Sequence, residues 1–319
     1  MLKEGRGRVR SVIQAVRQWV DGINKGECPF KELRTERKMS RVIGKEEVAD
    51  LVREALPKLA FELPSDIQAG LADALERETS PRAAEALRLL VENARIARED
   101  RVAICQDTGS VWVCLEIGPD VCIAGDVLDG IDEAVAYAYT EGNLRKSLVR
   151  DALFDRSNTG DNTPAFAEIH TSTLPGARVH IMCKGGGSDN ASRVVMLTPS
   201  AGRQGIIEAV LACVREKAAN ACPPLIIGVG VGSTFDKVAG LAKMALMRPL
   251  DVPAPDEMTD ALERELLEAV NATGIGAAAL GGKTTAIGVR VKTAPCHIAA
   301  LPLAVNMGCS AMRRGTFEL

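Results

Sequence analysis

From Lys45 onward the apolar positions recur at helical spacing, with Val48, Leu51, Val52, Ala55 and Leu56 on one face and charged residues between them. Pro57 and Pro64 punctuate this first stretch, and Ser65 reads as the N-cap of a helix over 66–77. Ser80 and Pro81 supply a cap and an N1 proline for a helix over 82–98, whose buried stripe is Leu87, Leu90, Val91 and Ala94. Residues 45–98 therefore read as a three-helix layer that carries no visible chemistry. Beyond Arg101 the period shortens. Runs rich in β-branched residues predict strands over 111–117, 165–170, 179–183, 225–231, 286–292 and 300–306, with helices over 131–140, 205–218, 236–247 and 256–272 between them. The fold class is α+β: a helical N-terminal layer followed by a mixed β-sheet core flanked by helices. Internal repeats and low-complexity linkers are absent, so residues 43–319 read as one domain.

Composition narrows the class. Of 319 residues, 46% are hydrophobic and 25% charged, the balance of an ordinary globular chain and not of a disordered one. Charge, Gly or Pro interrupts each apolar run well short of a bilayer span, which argues against a membrane protein. The first twenty residues scatter Lys3, Arg6, Arg8, Arg10 and Arg17 among apolar positions and do not read as a secretion signal, so the cytoplasm is the expected compartment. A net charge of -3 and a pI of 5.8 give no reason to expect nucleic acid. Aromatics at 3% leave few surfaces for stacking bases or sugars. Basic charge is concentrated at the start, where residues 1–42 hold eleven Lys/Arg against five Asp/Glu. With a helix over 10–23, this segment reads as a basic N-terminal extension, either loosely docked or an arm for RNA or membrane.

Nine cysteines in a chain without an export signal point to packing, metal binding or redox chemistry before disulfides. Cys114, Cys122, Cys183 and Cys213 fall inside apolar runs and suit packing. Cys105, Cys222 and Cys309 instead sit at element boundaries beside Gly, Pro or polar residues, where thiolates from distant segments can converge. No CxxC pair is present to suggest zinc. Three glycine runs suggest a small anionic ligand: 184–190 after a strand, Gly228-Val229-Gly230-Val231-Gly232-Ser233, and Gly282-Lys283-Thr284. The second misses the dinucleotide fingerprint at Ser233, and the third misses the phosphate-loop pattern at Ala277. Asp107 beside Cys105 reads either as a turn cap or as an acid–base group, and Arg145 either as a solvated helix residue or as a carboxylate clamp. His297, at the entrance to an apolar strand, is a packing residue or a catalyst.

Taken together, Cys105-Gln106-Asp107-Thr108-Gly109, the 184–190 glycine segment, Ala221-Cys222-Pro223-Pro224 and Pro295-Cys296-His297 with Asn306-Met307-Gly308-Cys309 resemble the alpha subunit of class I, iron–sulfur fumarate hydratases and of the related L(+)-tartrate dehydratases. The resemblance spans about residues 43–319 and leaves residues 1–42 outside it. It implies a [4Fe–4S] cluster held by Cys105, Cys222 and Cys309, with Cys296 as the rival for the third ligand. It further implies substrate contacts from Gln106, Asp107, Arg145, Gly186 and His297, with Asp107 and His297 as catalytic candidates. The implied activity is a hydro-lyase of the tricarboxylic acid cycle, the reversible hydration of fumarate to (S)-malate; the same chemistry on tartrate is the alternative. Single-chain members carry a further C-terminal domain, so the resemblance implies a beta subunit as partner, a dicarboxylate or hydroxy-acid substrate, and a heterotetramer. Two readings of other classes remain: a phosphate- or nucleotide-binding protein built on the glycine runs, and a non-catalytic partner whose cysteines pack or bind structural zinc.

Overall fold

The computed structural model describes residues 41–319. Of the basic extension, residues 1–40 with the expected helix over 10–23 lie outside the described residues. Arg41 and Val42 already belong to the folded domain, in strand β1 (Arg41–Ile43), which pairs in parallel with β3 (Val121–Ile123).

The helical layer forms as the periodicity predicts, in α1 (Lys45–Phe61), α2 (Ser65–Arg77) and α3 (Pro81–Asp100). Pro57 does not end α1, because Leu56, Leu59, Ala60 and Phe61 are all buried and their packing holds the last turn against the one hydrogen bond that proline forgoes. The Ser80 hydroxyl accepts from Ala83 N at the start of α3, and the helix closes on Arg101 in the left-handed conformation.

Two mixed sheets make up the rest. The first has the order β10 (Arg313–Glu318), β5 (Ala177–Lys184), β2 (Ser110–Ile117), β4 (Phe166–Thr171); only the β2–β4 pair is parallel. The second has the order β6 (Arg193–Leu197), β9 (Leu301–Gly308), β7 (Leu225–Ser233), β8 (Ala286–Cys296), with β7 and β8 parallel. One face of the first sheet packs through Val111, Val113, Leu115, Val179 and Ile181 on α1 and α4 (Ile131–Glu141). The second sheet packs through Ile227, Val229, Leu303 and Val305 on α6 (Gly202–Lys217) and α8 (Glu257–Asn271). A third core joins α2 and α3 to the remaining faces through Trp112, Met182, Ile226, Leu246 and Met312.

The elements absent from the hydropathy pattern are short or charged: β3, β6, β10 and the single-turn helix α5 (Gly186–Asn190). The glycines at 228 and 230 lie inside β7, where α7 (Val238–Met247) rests on the sheet. A Cβ at Gly228 would stand 2.2 Å from the Ala242 carbonyl oxygen, and one at Gly230 2.5 Å from that of Val238. These glycines therefore admit a helix and do not form a loop around a phosphate. No helix among the described residues is long and apolar enough to cross a membrane.

Candidate functional site

Strand direction brings Cys105, Cys222 and Cys309 to one seam. Cys222 precedes the start of β7, and Cys309 follows the end of β9, which runs antiparallel to β7 with Ile226 opposite Gly308. Cys105 precedes β2, whose first residue, Ser110, lies opposite Lys184 at the end of β5. The chain then crosses from one sheet to the other in the four residues between β9 and β10, the segment that contains Cys309. Two contacts lock the seam: Ser310 N donates to Cys222 O at 3.1 Å, and Lys184 Nζ donates to Met307 O. Cys222 holds a left-handed backbone at φ 54°, a conformation that costs a non-glycine residue about 1 kcal/mol and that the Ser310 contact helps to maintain.

The Cys105 loop is pinned from behind. Ile104 N donates to Ala60 O at 3.0 Å, and Asn93 Nδ2 donates to Ile104 O at 2.8 Å. The Tyr139 hydroxyl donates to the Thr108 and Gly109 carbonyls, and buried Asn162 donates to Gly109 O at 3.1 Å while accepting from Ser147 N at 2.7 Å. Gly109 has φ +82°, and a Cβ there would lie 2.7 Å from the Lys184 backbone, so the loop can pass this close to β5 only with glycine. These contacts fix Asp107. Its Oδ1 accepts from Gly109 N at 3.1 Å and lies 3.4 Å from Arg145 Nη2, and its Oδ2 accepts from Gly186 N at 2.8 Å. Thr108 Oγ1 donates to Arg145 O and so ties the backbone of that arginine to the same loop. Gln106 is exposed, with its Oε1 3.4 Å from Cys105 Sγ.

Burial pushes the thiols of Cys222 and Cys309 above the ordinary value, and the charge of Cys105 adds to the rise at each. At Cys309 the cations of Arg313 and Lys184 and the Ala311 N–H oppose that rise. Burial pulls the Lys184 ammonium down to about 8; its Nζ also donates to Ser188 Oγ at 3.0 Å. Cys105, Cys222, Cys309, Gln106, Asp107, Arg145 and Gly186 thus share one site. Sequence reasoning missed Arg313 and did not single out Lys184, although Lys184 opens the glycine run and Arg313 follows Cys309 by four positions.

His297 and Cys296 are not brought there within one chain. Cys296 ends β8 and His297 follows it, and because β8 runs parallel to β7 with Cys296 opposite Ser233, they stand at the far end of the second sheet from Cys222. Eight strand residues separate the two ends, about 26 Å. His297 is exposed, and its Nδ1 accepts from Ala299 N at 3.1 Å. The Gly282 run is also accounted for: Lys283 N donates to Glu78 Oε2 at 2.8 Å, so a carboxylate of the chain itself occupies that turn.

Among the described residues, one group offers three metal-ligand atoms within 4.8 Å of one another, Cys114, Glu168 and His170 on the neighbouring strands β2 and β4. Its members already satisfy each other. Glu168 Oε1 accepts from Trp112 Nε1 at 2.8 Å, its Oε2 lies 3.3 Å from His170 Nε2, and burial pushes the Cys114 thiol up to about 12. Cys105, Cys222 and Cys309 do not form such a compact group, although each belongs to the same seam.

Two mixed sheets with polar loops and three thiols at their junction define an α+β domain with a cysteine-lined candidate site. Comparison with known proteins identifies the family: the model of the fumarate hydratase (Fumerase) family matches residues 49–318, and the chain belongs to that family. A protein of Methanocaldococcus jannaschii, provisionally named L(+)-tartrate dehydratase subunit alpha, is 36% identical over 273 residues, covering 84% of this chain and 95% of its own. The L(+)-tartrate dehydratase subunit alpha of Escherichia coli K12 is 29% identical over 273 residues, covering 84% and 89%. That of Escherichia coli UTI89 is 29% identical over 276 residues, covering 85% and 90%.

Proposed function

We propose that the chain is the alpha subunit of an iron–sulfur hydro-lyase acting on a hydroxy-dicarboxylate, with Cys105, Cys222 and Cys309 as the ligands of a [4Fe–4S] cluster. The observation that carries this reading is the meeting of three cysteine loops at one seam beside Asp107, Arg145 and Gly186. The donor set suits such a group: three soft thiols from separate loops, too dispersed to form a single-ion cage, with the cations Lys184 and Arg313 acting on Cys309. Cys105, Cys222 and Cys309 would hold the group, and when bound it would supply a Lewis acid for a substrate hydroxyl.

The protein side of the reaction follows from the fixed loop. Arg145 offers a guanidinium at the mouth of the site, more than half exposed, as a clamp for a substrate carboxylate. Asp107 accepts from two backbone N–H groups and lies 3.4 Å from Arg145, which places it to orient the substrate hydroxyl or exchange its proton. Gln106 is exposed beside Cys105, where it would position the substrate, and Gly186 contributes through the N–H that holds Asp107. His297 stands a sheet's length away, so any contact it makes with substrate at Cys105 comes from another copy of the chain.

The family and the named relatives support two substrates, fumarate with malate and L(+)-tartrate. The relatives are named as alpha subunits, which supports pairing with a beta subunit in a heteromer. The eight cysteines of the described residues are all free, in keeping with a reducing compartment such as the cytoplasm. The test is anaerobic co-expression with the candidate beta subunit, followed by assays of malate and of tartrate dehydration. Activity on one of them, lost on exposure to air together with iron, is the expected result; dehydration of neither by an iron-loaded complex contradicts the reading.

A further inference from the structure

We propose that Arg313 is the buried countercharge of the cysteine site, a positioning residue whose guanidinium balances the thiolates once they hold a cluster. The proposal rests on the reading of Cys105, Cys222 and Cys309 as cluster ligands. Arg313 is 1% exposed and heads the largest fully buried side chains. Its Nε and Nη1 have no hydrogen-bond partner, and no carboxylate among the described residues forms an ion pair with it. A buried charge costs several kcal/mol unless an opposite charge meets it, and each unpaired N–H adds to that cost.

Its surroundings show which opposite charge fits. Arg313 opens β10 directly opposite Cys183, and its Nη2 lies 3.8 Å from where a Cβ of Gly185 would stand, a point itself 3.2 Å from Asp107 Oδ2. The guanidinium therefore sits beneath the floor of the site. Its charge reaches Tyr139, Cys183 and Cys309, the residue opposite it on β5 being Cys183. Burial drives the first two strongly toward their neutral forms, so neither supplies an anion. Cys309 differs because it belongs to the ligand set, and a metal-bound thiol is deprotonated outright. Loading the site would place beside Arg313 negative charge beyond that of Asp107, which lies across the Gly185 position and forms no ion pair with it.

The consequence is a pair of effects with opposite signs. In the metal-free chain the cation is a burden; in the loaded chain it stabilises the thiolates and favours the more negative, reduced cluster. R313M keeps the bulk and removes the charge, and R313K keeps a charge. Full-length chains are reconstituted anaerobically with iron and sulfide, then read for brown absorption under chelator challenge, for cluster reduction potential and for unfolding of the metal-free form. The expected result is R313M as stable as the parent or more so without metal, yet losing iron to chelator roughly tenfold faster when loaded and with a more negative potential, R313K restoring most of both. Parental iron retention and potential in R313M overturn the proposal, as does R313M weakening loaded and metal-free forms alike or failing to fold. A parent chain that takes up no cluster overturns the ligand reading itself, which distinguishes the two failures.

Discussion

Two neighbouring arginines on β10 are both buried and are treated in opposite ways by the structure. Arg314 projects to the face shared with the helical layer, where its Nη2 meets Asp66 of α2, and Asp66 also accepts from Leu250 N at 2.8 Å. Arg248 and Arg290 follow the same rule, since both pair with the buried carboxylate of Glu263. Arg313 projects to the opposite face, as strand alternation requires, and finds thiols where the others find carboxylates. Each of the other three guanidinia has a carboxylate partner within the chain, although Arg314 Nε and Arg248 Nη1 have no hydrogen-bond partner. Arg313, which forms no carboxylate ion pair among the described residues, lies at the seam of the cysteine loops, where the proposed cluster would supply the opposite charge.

Breaking the paired side should have the largest effect. D66A leaves Arg314 buried without its carboxylate and should cost about 3–5 kcal/mol in urea denaturation of the metal-free chain. R313M should cost little or nothing in the same experiment, and equal losses in the two variants would erase the contrast between the arginines. E263Q keeps the shape but removes the charge shared by Arg248 and Arg290; Glu263 Oε1 also accepts from Val291 N at 2.6 Å. A loss of about 2–3 kcal/mol is expected, smaller than for D66A because the amide oxygen can still accept. A parental stability for E263Q would show that these pairs contribute less than the account requires.

The smallest effect concerns pH. Burial holds the His180 imidazole below its ordinary value of 6.5 against the opposing charge of Glu116, whose Oε2 lies 3.9 Å from Nε2, while Nδ1 is 2.9 Å from Thr316 Oγ1. The unfolded chain therefore binds this proton more readily, so the stability associated with neutral His180 is present above pH 6.5 and lost as pH falls through that value toward the depressed one. H180Q should flatten the decline between pH 7.5 and 5.5, measured as unfolding midpoints. An unchanged slope would assign the decline to other groups.

The sequence made the site legible where local grammar and function coincide. Cys105, Cys222 and Cys309 stood out because each interrupts an apolar run next to Gly, Pro or a polar residue, and such boundaries become strand ends. The helical layer was legible for the same reason, its stripe of apolar positions being local. The glycines of β7 misled because a helix packed closely on a sheet leaves the same imprint as a phosphate loop. The distance of His297 from Cys222 was not legible because it depends on β8 running parallel to β7, a property of pairing that no single strand reveals. Arg313 escaped notice because hydropathy assigns arginine to the surface, and strand β10, begun by two buried arginines, carries no apolar alternation to announce it.

The most direct measurement is iron and sulfide content, with the brown absorption, of the anaerobically reconstituted chain in four single variants: C105S, C222S, C309S and C296S. Each of the first three should lose the chromophore while C296S keeps it. Bleaching by C296S with retention in C309S, or retention in all four, would contradict the cluster at the seam.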